Sequence, residues 1–484
     1  MRKPLVDLLS ALDPSVLSEW RQIEITGVAE DSRCVRPGEL FVAIRGFVED
    51  GHRYIDEALA RGAAAVVVDQ DIHCDSPCIR VKDTREALAR LSAAFYGHPT
   101  RGLYTVGVTG TNGKTTVCHL VAQLLGLPAT ALITTVANEA RGLHAVTTPS
   151  SPIVQRIAHE ALTSGKEHLI IEASSVALSL HRVSEVDFDV AVFTNLTHDH
   201  LDFHVDRTGY LESKLHLFRG LKRQAWTVVN ADDPLHDRFQ AATKANGLAY
   251  AIHHRADVCA TDLRFDSIGA AFTLWIGKQR AAVRIKLPAE HNVSNVLAAV
   301  GVAVAHGIPF HTIVERLESA RRVEGRYQIF TAPQRPTVVV DFAHSPDALE
   351  RMLRSLKIFY ERIICVFGCA GEADRDKRPV MGELSGRLAE ATILTTDNPK
   401  TENPEAILDE IERGILPTGG RYERIVDRRE AIRRALDLAG PEDVVLLAGK
   451  GHETYQIVGD EWIPFRDADV LQEEGYDVEE DAPN

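Results

Sequence analysis

Residues 104–126 read YTVGVTGTNGKTTVCHLVAQLLG, and this run leaves few choices of fold. A continuous apolar strand passes through a short glycine-bearing turn directly into an apolar helix. Gly110 and Gly113 let the backbone turn tightly and aim its N–H groups inward. The helix beginning near Lys114 adds the positive end of its dipole. Lys114 can reach the β- and γ-phosphates of a nucleotide, and the Thr115 hydroxyl can ligate Mg²⁺. Gly110, Thr111, Asn112, Gly113, Lys114, Thr115 and Thr116 are therefore the candidate ATP-binding loop. The general phosphate-loop pattern wants glycine where Val108 stands, so TGTNGKTT is a shorter variant. By itself the loop specifies only a nucleoside triphosphate.

The 484 residues exceed one ordinary hydrophobic core. Three segments separate by pattern. In residues 1–99, the short strands LFVAI and AAAVVVD flank a helical stretch at Tyr54–Arg61, a small α/β unit. In residues 100–330, HLIIEAS, VAVFTNL and AWTVVNAD follow the loop strand and alternate with helices, as in a parallel sheet covered on both faces. In residues 331–484, TVVVDFAH, RIICVFGCAG, ATILTTDNP and DVVLLAGKG repeat the doubly wound pattern. Ligands in such folds bind at the carboxyl ends of the strands. The acidic end (Glu473, Glu474, Glu479, Glu480, Asp481) reads as a solvated tail.

A net charge of −15 disfavours nucleic acid and anionic membrane as partners, so any phosphate must be held locally. No apolar run approaches membrane-spanning length, and Asp7 and Asp13 interrupt the N-terminal one, which predicts a cytoplasmic protein. Seven cysteines in this length suggest reduced structural thiols, with Cys365 in a buried strand.

Two further constellations carry chemistry. His198, Asp199, His200, Asp202 and His204 crowd the loop after VAVFTNL, and one or two of them are plausible metal ligands. Glu172 ends a strand of the loop-bearing sheet, where a carboxylate can hold Mg²⁺ or orient a nucleophile. Lys214, in YLESKLHLF, reads as an ordinary surface lysine.

TGTNGKTT, EASS, FTNLTHDHLDFH, YLESKLHLF, EHNVSN, VEGR and VDFAHSPDAL, in this order, closely resemble the Mur ligase family. EDSRCVRPGELFVAIRG, TTDNPKTENPEAI and LLAGKGHETYQ resemble its branch that adds the third residue of the peptidoglycan stem peptide. The resemblance implies an α/β chain of three domains. These are a UDP-binding domain (1–99), a central phosphate-loop ATPase domain with a mainly parallel sheet (100–330) and a C-terminal Rossmann-like domain (331–484). It implies a monomer that converts a carboxylate of a UDP-linked substrate to an acyl phosphate with ATP, which an incoming amine then attacks.

Site residues follow from the same resemblance. Lys114 and Thr115 serve the phosphates and Mg²⁺, Glu172 and His200 a second Mg²⁺, and Lys214 is carbamylated. Asn292, Arg326 and Asp341 contact nucleotide. Asp31, Ser32 and Arg33 form the UDP turn, and Thr147, Thr148, Ser174 and Arg182 hold the sugar-peptide. Where the family often has Gln before the last of these, Leu180 stands here. Arg375, Asp397, Asn398, Pro399, Lys400, Gly449 and Glu453 match the amino-acid pocket. Before Arg375 the usual turn is altered at Glu372 and Ala373, and Lys400 stands where diaminopimelate-adding members have Arg. Lys400 keeps the cation that a distal carboxylate needs but loses the bidentate fork, so meso-diaminopimelate is the expected amine. L-Lysine or L-ornithine is the alternative; a folylpolyglutamate-type ligase and a phosphate-loop ATPase without ligase activity are remoter ones.

Overall fold

The computed structural model describes residues 1–12, 20, 22–47, 49–72, 76–197 and 206–479. His198, Asp199, His200, Asp202 and His204 lie outside the described residues, as do Asp13, Cys74, Glu480 and Asp481.

Three larger sheets organise the described residues. The N-terminal one is parallel, in the order Val28–Ala29, Leu40–Val42, Ala65–Val68, Cys78–Arg80. Ile55–Ala60 covers one face and Thr84–Tyr96 the other. Asp83 begins the second helix by accepting from the N–H groups of Arg85 and Glu86. That helix packs on Ser151–Thr163 of the next unit.

The central sheet has nine strands. Thr130–Ile133, His168–Glu172, Tyr104–Thr109, Val190–Phe193, Trp226–Asn230, Asn246–Ala251 and Val258–Asp266 run parallel. Apolar clusters seal both faces of the sheet's middle, which is why Tyr104–Thr109, His168–Glu172 and Val190–Phe193 are buried, largely apolar runs. The expected parallel pattern ends there: Gly269–Ile276 and Gln279–Ile285 extend the sheet antiparallel. Their alternating burial, one face on helix Phe310–Glu318, marks a half-exposed meander.

The C-terminal sheet has seven strands. Arg421–Arg424, Ala391–Leu394, Ile363–Phe367, Val444–Ala448 and Thr337–Asp341 are parallel; Gln328–Thr331 and Asp477–Val478 close the edge antiparallel. Gln328–Thr331 straddles the boundary expected between residues 330 and 331, and it pairs within this sheet. The acidic end is not a solvated tail up to Glu479. Glu473 pairs with Arg429, Glu474 with Arg433 and Glu479 with Arg322, while Asp477–Val478 supplies the edge strand.

Cys365 and Cys369 are buried, which pushes both thiols up to about 12, as expected for inert core thiols. None of the described cysteines is in a disulfide. Among the described residues no helix is long and apolar enough to cross a membrane.

Candidate active site

The loop emerges between two strands whose ends hold it. Val108 pairs with Glu172 on one side and Thr109 with Phe193 on the other. Gly110 has φ 151°, and a Cβ there would fall 1.8 Å from Thr194 Oγ1. Gly113 has φ 85°, and its Cβ would fall 2.3 Å from Asn295 Oδ1. Both glycines are thus demanded by contact as well as conformation. The Thr194 hydroxyl donates to the Asn112 carbonyl at 2.7 Å, and Asn195 accepts from the N–H groups of Thr111 and Asn112 at 2.8 and 3.0 Å. Gly113 caps helix Lys114–Leu125 without a side chain, so no side chain takes up the first-turn N–H groups, and Lys114, Thr115 and Thr116 line the cavity. Lys114 Nζ donates to the Thr111 carbonyl at 2.8 Å.

Glu172 is buried beneath the loop. Its Oε2 accepts from the Thr115 hydroxyl at 2.9 Å and from the Thr135 hydroxyl and N–H at 3.2 Å. It therefore also serves the start of helix Thr135–Glu139. Lys214 is no surface residue: it is 1% exposed on Arg207–Arg219. Its ammonium donates to the Gly110 carbonyl at 2.8 Å and lies 4.3 Å from the Tyr210 ring centroid. Oxygen donors from Thr115 and Glu172 suit a hard cation such as Mg²⁺. Among the described residues no three His, Cys, Asp or Glu side chains cluster for a metal.

The sugar-peptide candidates adjoin Glu172. Thr148 donates to the Glu172 carbonyl at 2.6 Å and accepts from the Ser174 N–H at 3.2 Å, and Arg182 donates to the Thr148 carbonyl at 2.8 Å. The Thr135 and Thr147 hydroxyl oxygens lie 3.4 Å apart. Burial lowers the Arg182 pKa, and Glu30 of the N-terminal unit opposes this. Asp31, Ser32 and Arg33 stand apart from this cluster. Asp31 caps the turn Ser32–Cys34 and pairs with Arg33, while Ser32 donates to Glu57 at 2.8 Å.

A cavity of about 450 Å³ opens from the loop to the C-terminal unit. Asn292, Arg326 and Asp341 all line it, with Lys114 and Glu172. Arg326 donates to Thr115 Oγ1 at 3.2 Å and lies 4.4 Å from the Phe342 ring centroid. Burial lowers its pKa and raises that of Asp341, whose carboxylate accepts from the Tyr327 N–H at 2.8 Å; each charge opposes the other's shift. His291 and Arg351 also line the cavity but were not read as site residues. Burial lowers the His291 pKa to about 4. His291 could have been found, since it sits inside EHNVSN; Arg351 carries no local signal, being one of several arginines on Pro346–Leu356.

The amino-acid candidates divide. Asn398 Nδ2 donates to Glu453 at 2.9 Å, and buried Lys450 donates to both at 3.2 and 3.0 Å. Burial raises the Glu453 pKa, with Lys450 opposing. Gly449 has φ 103°, and a Cβ there would lie 3.4 Å from Asp397 Oδ2. The Pro399 carbonyl packs against Gly371. Lys400 bonds through its backbone to Ile457 and Gly459. Arg375 is not gathered with them: it is exposed and pairs with Glu410. Arg378, passed over in the sequence, is fully buried and bridges Glu402 and Glu410. Burial would lower its pKa, but the two carboxylates raise it, and Arg378 holds Glu402 down at about 2.

Three family models match in order: the Mur ligase family catalytic domain at 24–96, the Mur ligase middle domain at 108–303, and the Mur ligase glutamate ligase domain at 325–451. Two relatives bear the name UDP-N-acetylmuramoyl-L-alanyl-D-glutamate–2,6-diaminopimelate ligase. The protein from Geobacillus kaustophilus is 41% identical over 97% of this chain and 98% of its own. That from Bacillus licheniformis is 41% identical over 93% and 94%. A solved structure of an enzyme of that name superposes with TM-score 0.67 at 31% identity, covering 96% of this chain and 98% of the other.

The chain belongs to the Mur ligase family. It is accordingly an ATP-dependent amide ligase. MurF from Acinetobacter baumannii shares the fold at 19% identity and TM-score 0.68, covering 98% of each chain. Val108, which stands where the general phosphate-loop pattern has glycine, is buried in the strand that leads into the loop.

Proposed function

We propose that this chain ligates meso-2,6-diaminopimelate to UDP-N-acetylmuramoyl-L-alanyl-D-glutamate at the expense of ATP, as a cytoplasmic monomer in peptidoglycan synthesis. The observation that carries this reading is the 41% identity, over 97% of the chain, to an enzyme of that name. The geometry supports it: the loop, Thr147 and Glu172 line one cavity, and Thr148, held by Arg182, bonds the Glu172 carbonyl beside it.

The substrate carboxylate attacks the γ-phosphorus of ATP, and ADP leaves. The amine then attacks the acyl phosphate, and the tetrahedral intermediate expels phosphate. Lys114 and the first-turn N–H groups hold the phosphates, with Asn292, Arg326 and Asp341 around the nucleotide. Thr148, Ser174 and Arg182 orient the dipeptide, and Asp31–Arg33 the UDP. Thr115, Glu172, His200 and carbamylated Lys214 would hold Mg²⁺, which offsets the charge of two anions brought together. Carbamylation makes Lys214 an anion, so its burial beside the loop then favours a cation. Asn398, Gly449 and Glu453 would line the amino-acid pocket, with Lys400 as the cation for the distal carboxylate.

The test is a competition assay with purified enzyme, ATP, Mg²⁺ and the UDP-dipeptide. ADP release should require both acceptor and amino acid, with kcat/KM highest for meso-diaminopimelate. A higher value for lysine or ornithine would overturn the specificity, and turnover without the UDP-dipeptide would overturn the ligase reading.

A further inference from the structure

Lys400 already faces a carboxylate of its own chain. Glu372 Oε2 lies 3.8 Å from Lys400 Nζ. The Glu372 side chain is fixed by the Thr401 hydroxyl, which donates to its Oε1. Its backbone is fixed by an N–H bond to Glu402 at 2.6 Å, at φ 53°. Glu402 is gripped in turn by buried Arg378 at 2.9 and 3.0 Å. One residue earlier, Gly371 donates to the Asn398 carbonyl at 2.9 Å, and a Cβ on it would fall 1.9 Å from the Pro399 oxygen. The turns 370–372 and 398–402 are therefore one welded unit, and the weld sets a carboxylate against the Lys400 ammonium. Arg375, nearby in sequence, is spent on Glu410.

We propose that Glu372 is a specificity-determining residue of the amino-acid pocket. It competes with the distal carboxylate of an incoming diaminopimelate for Lys400, and it gives the side-chain ammonium of ornithine or lysine a counter-charge. This rests on the reading of Lys400 given above. A fixed anion attracts the distal ammonium that all three amines carry and repels only the distal carboxylate of diaminopimelate, so it lowers the preference for diaminopimelate over ornithine or lysine. Both partners are partly exposed, which limits the effect to about fivefold.

The experiment measures kcat/KM for meso-diaminopimelate, L-ornithine and L-lysine with the wild type, Glu372→Gln and Thr401→Val. Glu372→Gln should raise the ratio of diaminopimelate to ornithine by about fivefold. The change should fall in KM for the amino acid, with KM for ATP and for the UDP-dipeptide unmoved. Thr401→Val, which only loosens Glu372, should move the ratio the same way by less. An active wild type whose ratio stays fixed in Glu372→Gln, or shifts toward ornithine, overturns the role of Glu372 alone. A wild type that uses none of the three amino acids overturns the underlying reading and this role with it.

Discussion

Lys214 and His119 show what burial does to single ionisable groups. An ammonium at 1% exposure beside a phosphate loop is costly unless it is paired or chemically changed. Lys214→Ala should lose about 100-fold or more in kcat, and short carboxylates such as acetate should restore part of it by standing in for the carbamate. Full activity in the variant without added carboxylate would dismiss the carbamate. His119 is a different case. Burial, with a smaller effect from Arg326, lowers its pKa to about 4. In the unfolded chain a histidine takes up a proton below about 6.5. Between those values only the unfolded state is protonated, so the stability due to neutral His119 is full above pH 6.5 and is lost as the pH falls toward 4. The melting temperature of His119→Asn should fall less steeply than that of the wild type between pH 6.5 and 4. Parallel curves would refute it.

At the scale of elements, the strand–loop–helix at 104–125 holds its shape because the two loop glycines, Gly110 and Gly113, are also packing positions. Gly113→Ala must place a methyl 2.3 Å from Asn295 Oδ1 at φ 85°. The loop will shift, and KM for ATP should rise by about tenfold or more, since left-handed backbone costs a residue with Cβ roughly 1–2 kcal/mol before any clash. An unchanged KM would mean that the loop yields freely. The loop, its helix and the strands beside it were all legible in the sequence, because glycine placement and apolar runs encode local conformation directly. The antiparallel extension at 269–285 was not read, since half-exposed strands carry alternation rather than the continuous apolar runs that marked the others.

At the scale of the whole molecule, the nucleotide cavity joins two sheets. Lys114, Glu172 and Asn292 come from the central unit, and Arg326, Asp341 and Arg351 from the sequence that leads into and through the C-terminal one. A nucleotide bound there should stabilise both units together. By mass action, ATP with Mg²⁺ at a hundredfold excess over Kd adds about 2.7 kcal/mol. Thermal unfolding should shift upward by several degrees for the parts of the transition from both units, and Lys114→Ala should abolish the shift. Stabilisation of the central unit alone would argue against a shared site.

The strands beside the phosphate loop, the position of that loop and the motifs around it follow from the sequence alone, because each depends on residues a few positions apart. The state of the charged groups does not. Lys214 meets Gly110 across 104 residues and Arg326 meets Thr115 across 211. Nothing near either residue in the chain announces burial or partner. Arg375 and Arg378 make the same point three residues apart: the motif favoured Arg375, but packing turned it outward to Glu410 and buried Arg378 between two carboxylates. Local pattern determines where the backbone goes. Only the folded packing decides which charges are taken out of water and what then faces them, and Glu372 against Lys400 is decided there.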